Sequence, residues 1–88
     1  MKVISEAIYG FCCNTEESIE DITSFVVENL GLITNTDETS LIADVGKVID
    51  YLRINKLLKC EYFMKGVPYL KANRKFSEAL GYIDEGGV

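Results

Sequence analysis

The spacing of apolar residues changes near Leu58, and this change limits the folds open to the chain. Before Leu58, apolar residues recur at intervals of three and four, the pattern of an amphipathic helix. The members of this stripe are Leu41, Val45, Val48, Ile49 and Leu52. After Leu58, residues 61–72 form two short strand-like runs around a turn at Lys65–Pro68. A helix that leads directly into a β-hairpin predicts an α+β domain.

The rest of the chain adds helices on both sides of this unit. Periodicity predicts three longer helices and a short final one, over residues 2–13, 16–30, 40–55 and 74–80. Asn73 is the expected N-cap of the final helix. A chain of 88 residues can bury one core. We therefore predict a single α+β domain over residues 1–83, with three helices, a C-terminal hairpin and a short final helix, followed by a frayed tail over 84–88.

Local signals set the expected ends of the helices. Thr15 is the expected N-cap of the second helix, and Gly31 is its expected stop. Three residues remain alternatives for the cap of the third helix: Thr36, Asp37 and Ser40. Asn55 is expected to end that helix in the left-handed conformation.

The same stripes predict which side chains are buried. Five are expected to be nearly inaccessible: Phe25, Val45, Ile49, Leu52 and Leu57. Three side chains of the first helix are expected to face water: Ser5, Glu6 and Tyr9.

Two registers compete for the hairpin. A two-residue loop, Lys65–Gly66, pairs Phe63 with Pro68 and requires a lysine with positive φ. A four-residue loop, Lys65–Pro68, pairs Phe63 with Leu70 and keeps the proline out of the ladder. We favour the four-residue loop because it places apolar residues opposite one another.

Charge is distributed unevenly along the chain, whose net charge is −5. Residues 1–46 hold one basic and nine acidic side chains, whereas residues 47–88 hold eight basic and five acidic ones. We expect an acidic face and a mildly basic one, and only the basic face suits phosphate. The chain starts without a signal-peptide pattern and has no apolar run near the roughly 20 residues of a membrane helix. The predicted location is therefore cytoplasmic.

Nothing in the sequence indicates catalysis or a metal site. The chain has no histidine, the commonest general base. Its three cysteines, two of them adjacent, match neither a disulfide framework nor a zinc motif, so we expect free thiols at Cys12, Cys13 and Cys60. The acidic cluster over residues 16–21 is explained by the favourable charge at a helix N-terminus. We expect no enzyme activity, no cofactor and no metal.

Two segments carry a resemblance to a known superfamily. The segment Leu52-Arg53-Ile54-Asn55-Lys56-Leu57-Leu58 resembles the exit of the third helix in winged helix-turn-helix proteins, and Lys65-Gly66-Val67-Pro68-Tyr69 lies where their wing would turn. The connection over residues 32–37 departs from the pattern, because it is longer than the usual turn before a recognition helix. The resemblance implies a winged-helix-like fold and a small DNA-binding transcription regulator that forms a homodimer.

The candidate DNA-binding residues lie on the exposed side of the third helix and on the hairpin. They are Ser40, Ala43, Lys47, Tyr51, Lys65 and Lys71. The helix residues would approach bases in the major groove, and the hairpin lysines would contact phosphates. Five more basic residues could add to a positive rim: Arg53, Lys56, Lys59, Arg74 and Lys75.

Two other interpretations of the same surface stay open. Asp44 and Asp50 would repel phosphate, and the helix could simply present a solvated face with pairs such as Asp50–Arg53. The acidic composition and exposed tyrosines also fit an adaptor or inhibitor that docks on another protein. The residues that would then carry binding are Tyr51, Tyr62 and Tyr69.

Overall fold

Four helices pack with a three-stranded antiparallel sheet in the computed structural model, which describes residues 2–34 and 37–81. The elements in chain order are α1 (Lys2–Cys12), β1 (Glu17–Ser18), α2 (Ile19–Thr34), α3 (Glu38–Ile54), β2 (Leu58–Met64), β3 (Val67–Ala72) and α4 (Arg74–Ala79). The hairpin β2–β3 follows three helices and precedes a short fourth, which confirms the predicted α+β, winged-helix-like fold. The predicted boundary at residue 83 and the frayed tail over 84–88 lie outside the described residues.

The strand β1 was not predicted. Its two residues pair antiparallel with β3, Glu17 opposite Leu70 and Ser18 opposite Tyr69, so that β3 is central in the order β1-β3-β2. The pairing displaces the start of α2 from the predicted residue 16 to Ile19. Two residues without apolar alternation give no strand signal of their own, because their partner lies about fifty residues further along the chain.

Both predicted ends of α2 are wrong. Ser18 acts as its cap, since the Asp21 backbone N–H donates to the Ser18 hydroxyl at 3.1 Å. The predicted cap, Thr15, instead donates its hydroxyl to the Glu17 carboxylate at 2.7 Å. At the other end the helix continues through Gly31 to Thr34, so residues 35–37 alone connect it to α3.

Asp37 caps α3 and Asn73 caps α4. The Asp37 carboxylate accepts hydrogen bonds from the backbone N–H groups of Thr39 (3.1 Å) and Ser40 (3.3 Å). Asp37 is thus the cap among the three alternatives. Asn73 accepts from the Lys75 N–H at 2.7 Å, which confirms the predicted start of α4.

The end of α3 differs from the prediction. Asn55 has φ −86°, and the left-handed residue is Lys56, with φ 61°. The Leu57 N–H then donates to the Leu52 carbonyl at 2.8 Å, which satisfies one of the last helix carbonyls.

The hairpin adopts the register that we did not favour. Phe63 pairs with Pro68 and Met64 with Val67, so that Lys65 (φ 52°) and Gly66 (φ 81°) form a two-residue turn. Such turns match the right-handed twist of the flanking strands, and here that match outweighs the cost of about 1–2 kcal/mol for a left-handed lysine. An irregularity between Cys60 and Tyr62 then shifts the ladder, which places buried Leu70 opposite Cys60 rather than Phe63.

One core joins the helices to the hairpin. Its buried apolar members are Ile8, Cys12, Ile22, Val26, Leu30, Leu41, Val45, Val48, Ile49, Leu52, Leu57, Leu58, Leu70 and Phe76. All five apolar stripe positions of α3 are buried, which fixes which face of this helix meets solvent.

Three expectations about burial are wrong. Phe25 is only partly buried and stacks on Phe11, with ring centroids 4.3 Å apart. Ser5 is fully buried, and its hydroxyl has no hydrogen-bond partner. Tyr9 is half-buried and packs edge-on against Phe76 at 5.2 Å, because α4 covers this part of α1.

Candidate functional site

The outward face of α3 carries the predicted helix residues. Ser40, Ala43, Lys47 and Tyr51 are all exposed, at spacings of three and four, opposite the buried stripe. At 1.5 Å per residue this row is about 16 Å long. The helix therefore presents a continuous surface that contributes nothing to the core.

The Ser40 hydroxyl is less available for contacts with a ligand than its exposure suggests. Its hydroxyl donates to Asp37 Oδ2 at 2.7 Å, so it is part of the helix cap. This hydrogen bond is the main cause of a lowered pKa of the Asp37 carboxyl, and the backbone N–H of Thr39 adds to it. The cap places a fixed negative charge at the start of α3.

Two further acids lie on the exposed part of α3 beyond its first turn. Asp44 and Asp50 are exposed, and neither forms an ion pair within the described residues. The pair Asp50–Arg53 considered above is not formed. The helix surface is therefore electrostatically mixed, with unpaired charges of both signs.

Lys65 stands at the tip of the hairpin and Lys71 lies near its base. Lys65 is exposed and unpaired, as its predicted role requires. Lys71 is half-buried, and its Nζ lies 3.8 Å from Glu16 Oε2, the only salt bridge in the part of the chain that the structure describes. Lys71 is therefore already partly neutralised, in contrast to Lys65.

A basic groove lies between the end of α3, the start of β2 and the start of α4. It is open to solvent, has a volume of about 460 Å³ and is lined by Arg53, Lys56, Leu58, Lys59, Cys60 and Asn73. Three of these six residues are basic and none is acidic. The sequence had indicated these three lysine and arginine residues only as a rim, and the structure gathers them around one concavity.

Asn73 holds the wall of the basic groove. Its side-chain N–H₂ donates to the Lys56 carbonyl and its backbone N–H donates to the Leu57 carbonyl at 2.9 Å. The same side chain caps α4 through Lys75. One asparagine thus fixes the left-handed Lys56 relative to α4.

Positive charge is concentrated in the segment of the chain that contains the groove residues. Residues 51–77, which run from the end of α3 to the first turns of α4, contain seven basic residues and one acid, Glu61. In the sheet, Lys59 lies directly opposite Lys71. A charge count over this shorter window, in place of the two halves of the chain, would have predicted the basic surface.

The hairpin also exposes apolar side chains. Phe63 is 67% exposed, Met64 52%, Val67 42% and Tyr62 40%. Tyr62 stacks on Tyr69 with ring centroids 5.0 Å apart. Desolvation, followed by the nearby Glu16 carboxylate, raises the pKa of the Tyr62 hydroxyl, so this ring stays neutral.

Two other kinds of site have no counterpart in residues 2–34 and 37–81. No group of three or more metal-ligating side chains comes together there. No helix of the described chain has the length and apolarity to cross a membrane.

Comparison with known proteins gives no further assignment. No protein-family model matches the chain, and searches of curated proteins and of solved structures found no significant match.

Proposed function

We propose that this protein is a small cytoplasmic DNA-binding regulator that contacts duplex DNA with the outward face of α3 and with its hairpin. The observation that carries the proposal is the concentration of positive charge over residues 51–77, directly after a helix face that the core leaves free. Of the seven basic side chains in this segment, Lys71 alone forms a salt bridge among the described residues. An exposed α-helix fits the major groove of DNA, and basic side chains beside it that form no ion pair can contact phosphates.

The proposal gives each predicted residue a role. Ala43, Lys47 and Tyr51 approach base edges, because they follow Ser40 along the exposed row and are free of the helix cap. Lys65 contacts a phosphate from the hairpin tip. Ser40 positions the helix through its bond to Asp37 rather than contacting a base. Lys71 contributes only if phosphate replaces Glu16 as its partner.

The test is duplex binding across a salt series, with charge-reversal variants. The double variant Lys47→Glu/Lys65→Glu should weaken binding to every duplex. The slope of log affinity against log salt concentration should become shallower by about one unit per lost phosphate contact. Lys2→Glu is the matched control, since it makes the same charge change at the start of α1 and should leave the slope unchanged. Lys71 is unsuitable for this purpose because a glutamate there would face Glu16.

Neutralising the acids of α3 should have the opposite effect. Asp44→Asn and Asp50→Asn remove charges that repel phosphate, so both should strengthen duplex binding by a few fold at low salt. If the wild-type protein ignores duplex DNA even at low salt, or the lysine variants bind as tightly as wild type, the regulator proposal fails.

A second candidate function is docking on another protein through the hairpin. It is favoured by the four exposed apolar side chains at positions 62, 63, 64 and 67, since such patches commonly mark protein contacts. A photo-cross-linker placed at position 63 in cells should then yield one discrete protein adduct. The control is position 54, where Ile54 is 78% exposed on α3. Equal, diffuse labelling at both positions would argue against docking.

A further inference from the structure

We propose that the basic groove lined by Arg53, Lys59 and Lys56 binds a chain of linked phosphate groups. This inference goes beyond duplex recognition by α3, because it concerns a separate concavity with its own cations. The ligand class is a short polyphosphate or a phosphodiester backbone, which share closely spaced negative charges.

The charge of the groove favours an anionic ligand. Three cations line the groove, no carboxylate does, and none of the three forms an ion pair among the described residues. Uncompensated positive charge around one concavity attracts an anion, whereas it gives a neutral ligand no such advantage.

The backbone conformation of Lys56 also indicates that its side chain is used at this position. This residue is left-handed (φ 61°), a conformation that glycine or asparagine adopts more readily. Asn73 holds it there through its bond to the Lys56 carbonyl, and Asn73 also lines the groove. A lysine in this strained conformation is explained if its charge is used at this position.

The size and the lining of the groove also suit such a ligand. A volume of about 460 Å³ lies within the range of roughly 300–1,000 Å³ usual for ligand sites, so several phosphate groups fit. Leu58 and Cys60 supply the apolar part of the lining, against which the non-ionic portion of a ligand can rest. Arginine and lysine together provide both a planar fork and point charges for phosphate oxygens.

The experiment is calorimetric titration of the full chain at low salt with inorganic tripolyphosphate. Binding is expected for wild type, and it should weaken about tenfold in Arg53→Gln and in Lys59→Gln, since each removes one charge-assisted contact. Lys2→Gln is the control, because it makes the same charge change at the start of α1, outside the groove and outside the proposed DNA surface, and it should bind as wild type does. Lys56→Gly should bind more weakly yet melt at a higher temperature without ligand, which separates lost binding from lost folding.

A thymidine oligonucleotide, added as competitor, distinguishes the two sources of phosphate. Displacement of tripolyphosphate assigns the groove to a nucleic-acid backbone, and failure to displace it assigns the groove to a free polyphosphate. No binding of tripolyphosphate, or equal loss in Lys2→Gln and Lys59→Gln, overturns the proposal. A protein that binds tripolyphosphate but ignores duplex DNA would retain this site while the regulator proposal fails.

Discussion

Two lysines, Lys56 and Lys65, hold backbone positions that ordinarily favour glycine or asparagine. They are the only non-glycine residues with positive φ in the described part of the chain. Each pays a conformational penalty of about 1–2 kcal/mol, and each is exposed without an ion pair. The two sites proposed above, the hairpin tip and the basic groove, each contain one of them.

Ser5 provides a stability test at the residue scale. Its hydroxyl is fully buried without a partner, so Ser5→Ala should raise the free energy of unfolding by about 1–2 kcal/mol. The matched control is Ser24→Ala, an exposed helix position where only helix propensity improves, by about 0.5 kcal/mol. Denaturant melts measure both. Equal gains would mean that the Ser5 hydroxyl is in fact hydrogen-bonded.

The buried thiol of Cys12 should make the free energy of unfolding depend on pH. Burial, followed by the charges of Glu17 and Cys13, raises the pKa of its thiol from 9.0 to about 12. The folded pKa lies above the unfolded one, so the buried thiol stabilises the fold below pH 9, and this contribution is lost as pH rises from 9 through 12. The free energy of unfolding should therefore fall more steeply above pH 9 in wild type than in Cys12→Ala.

The rate of alkylation tests whether the Cys12 thiol is buried. At pH 8 native protein should be modified at Cys13 and Cys60, which are partly exposed, well before Cys12. Peptide mass spectrometry distinguishes the three positions. Modification of Cys12 as fast as Cys13 would contradict its burial.

At the scale of elements, α3 was predictable and β1 was not. The apolar positions at intervals of three and four in α3 are the positions that are buried. The buried stripe, and the exposed row from Ser40 to Tyr51 opposite it, therefore followed from the sequence. The pairing of Glu17 and Ser18 with β3 depends on a contact distant in the chain. The concavity of the basic groove was equally hidden, because Arg53 belongs to α3, Lys59 to β2, and Asn73 precedes α4.

The core contribution of α3 can be measured directly. Leu52 is fully buried, so Leu52→Ala should lower the free energy of unfolding by about 2–5 kcal/mol, a large share of a small domain's total. Ile54→Ala is the control two residues away, where the side chain is 78% exposed and the change should stay within about 0.5 kcal/mol. Similar losses at both positions would mean that the helix faces are assigned wrongly.

The hairpin turn has its own test. Lys65→Asn should stabilise the fold by about 0.5–1 kcal/mol, because asparagine tolerates positive φ in a two-residue turn better than lysine. Lys47→Asn, in the middle of α3, should instead destabilise slightly, since asparagine is a poorer helix former. A loss of stability in Lys65→Asn would favour the four-residue loop.

The molecule as a whole separates its charges. Residues 1–46 hold nine of the fourteen acidic residues, whereas residues 51–77 hold seven of the nine basic residues. Net charge alone, at −5, opposes binding to nucleic acid. The gathering of basic residues in one segment is what makes the proposed function compatible with an acidic protein, and it also predicts that binding will depend strongly on salt.

The most direct test of the central claim is amide chemical-shift mapping of the protein with a short DNA duplex at low salt. We expect perturbations along residues 40–51 of α3 and at Lys65–Gly66, with α1 unaffected, and their reversal as salt is raised. Perturbations confined to α1, or none at any duplex concentration, would contradict the account.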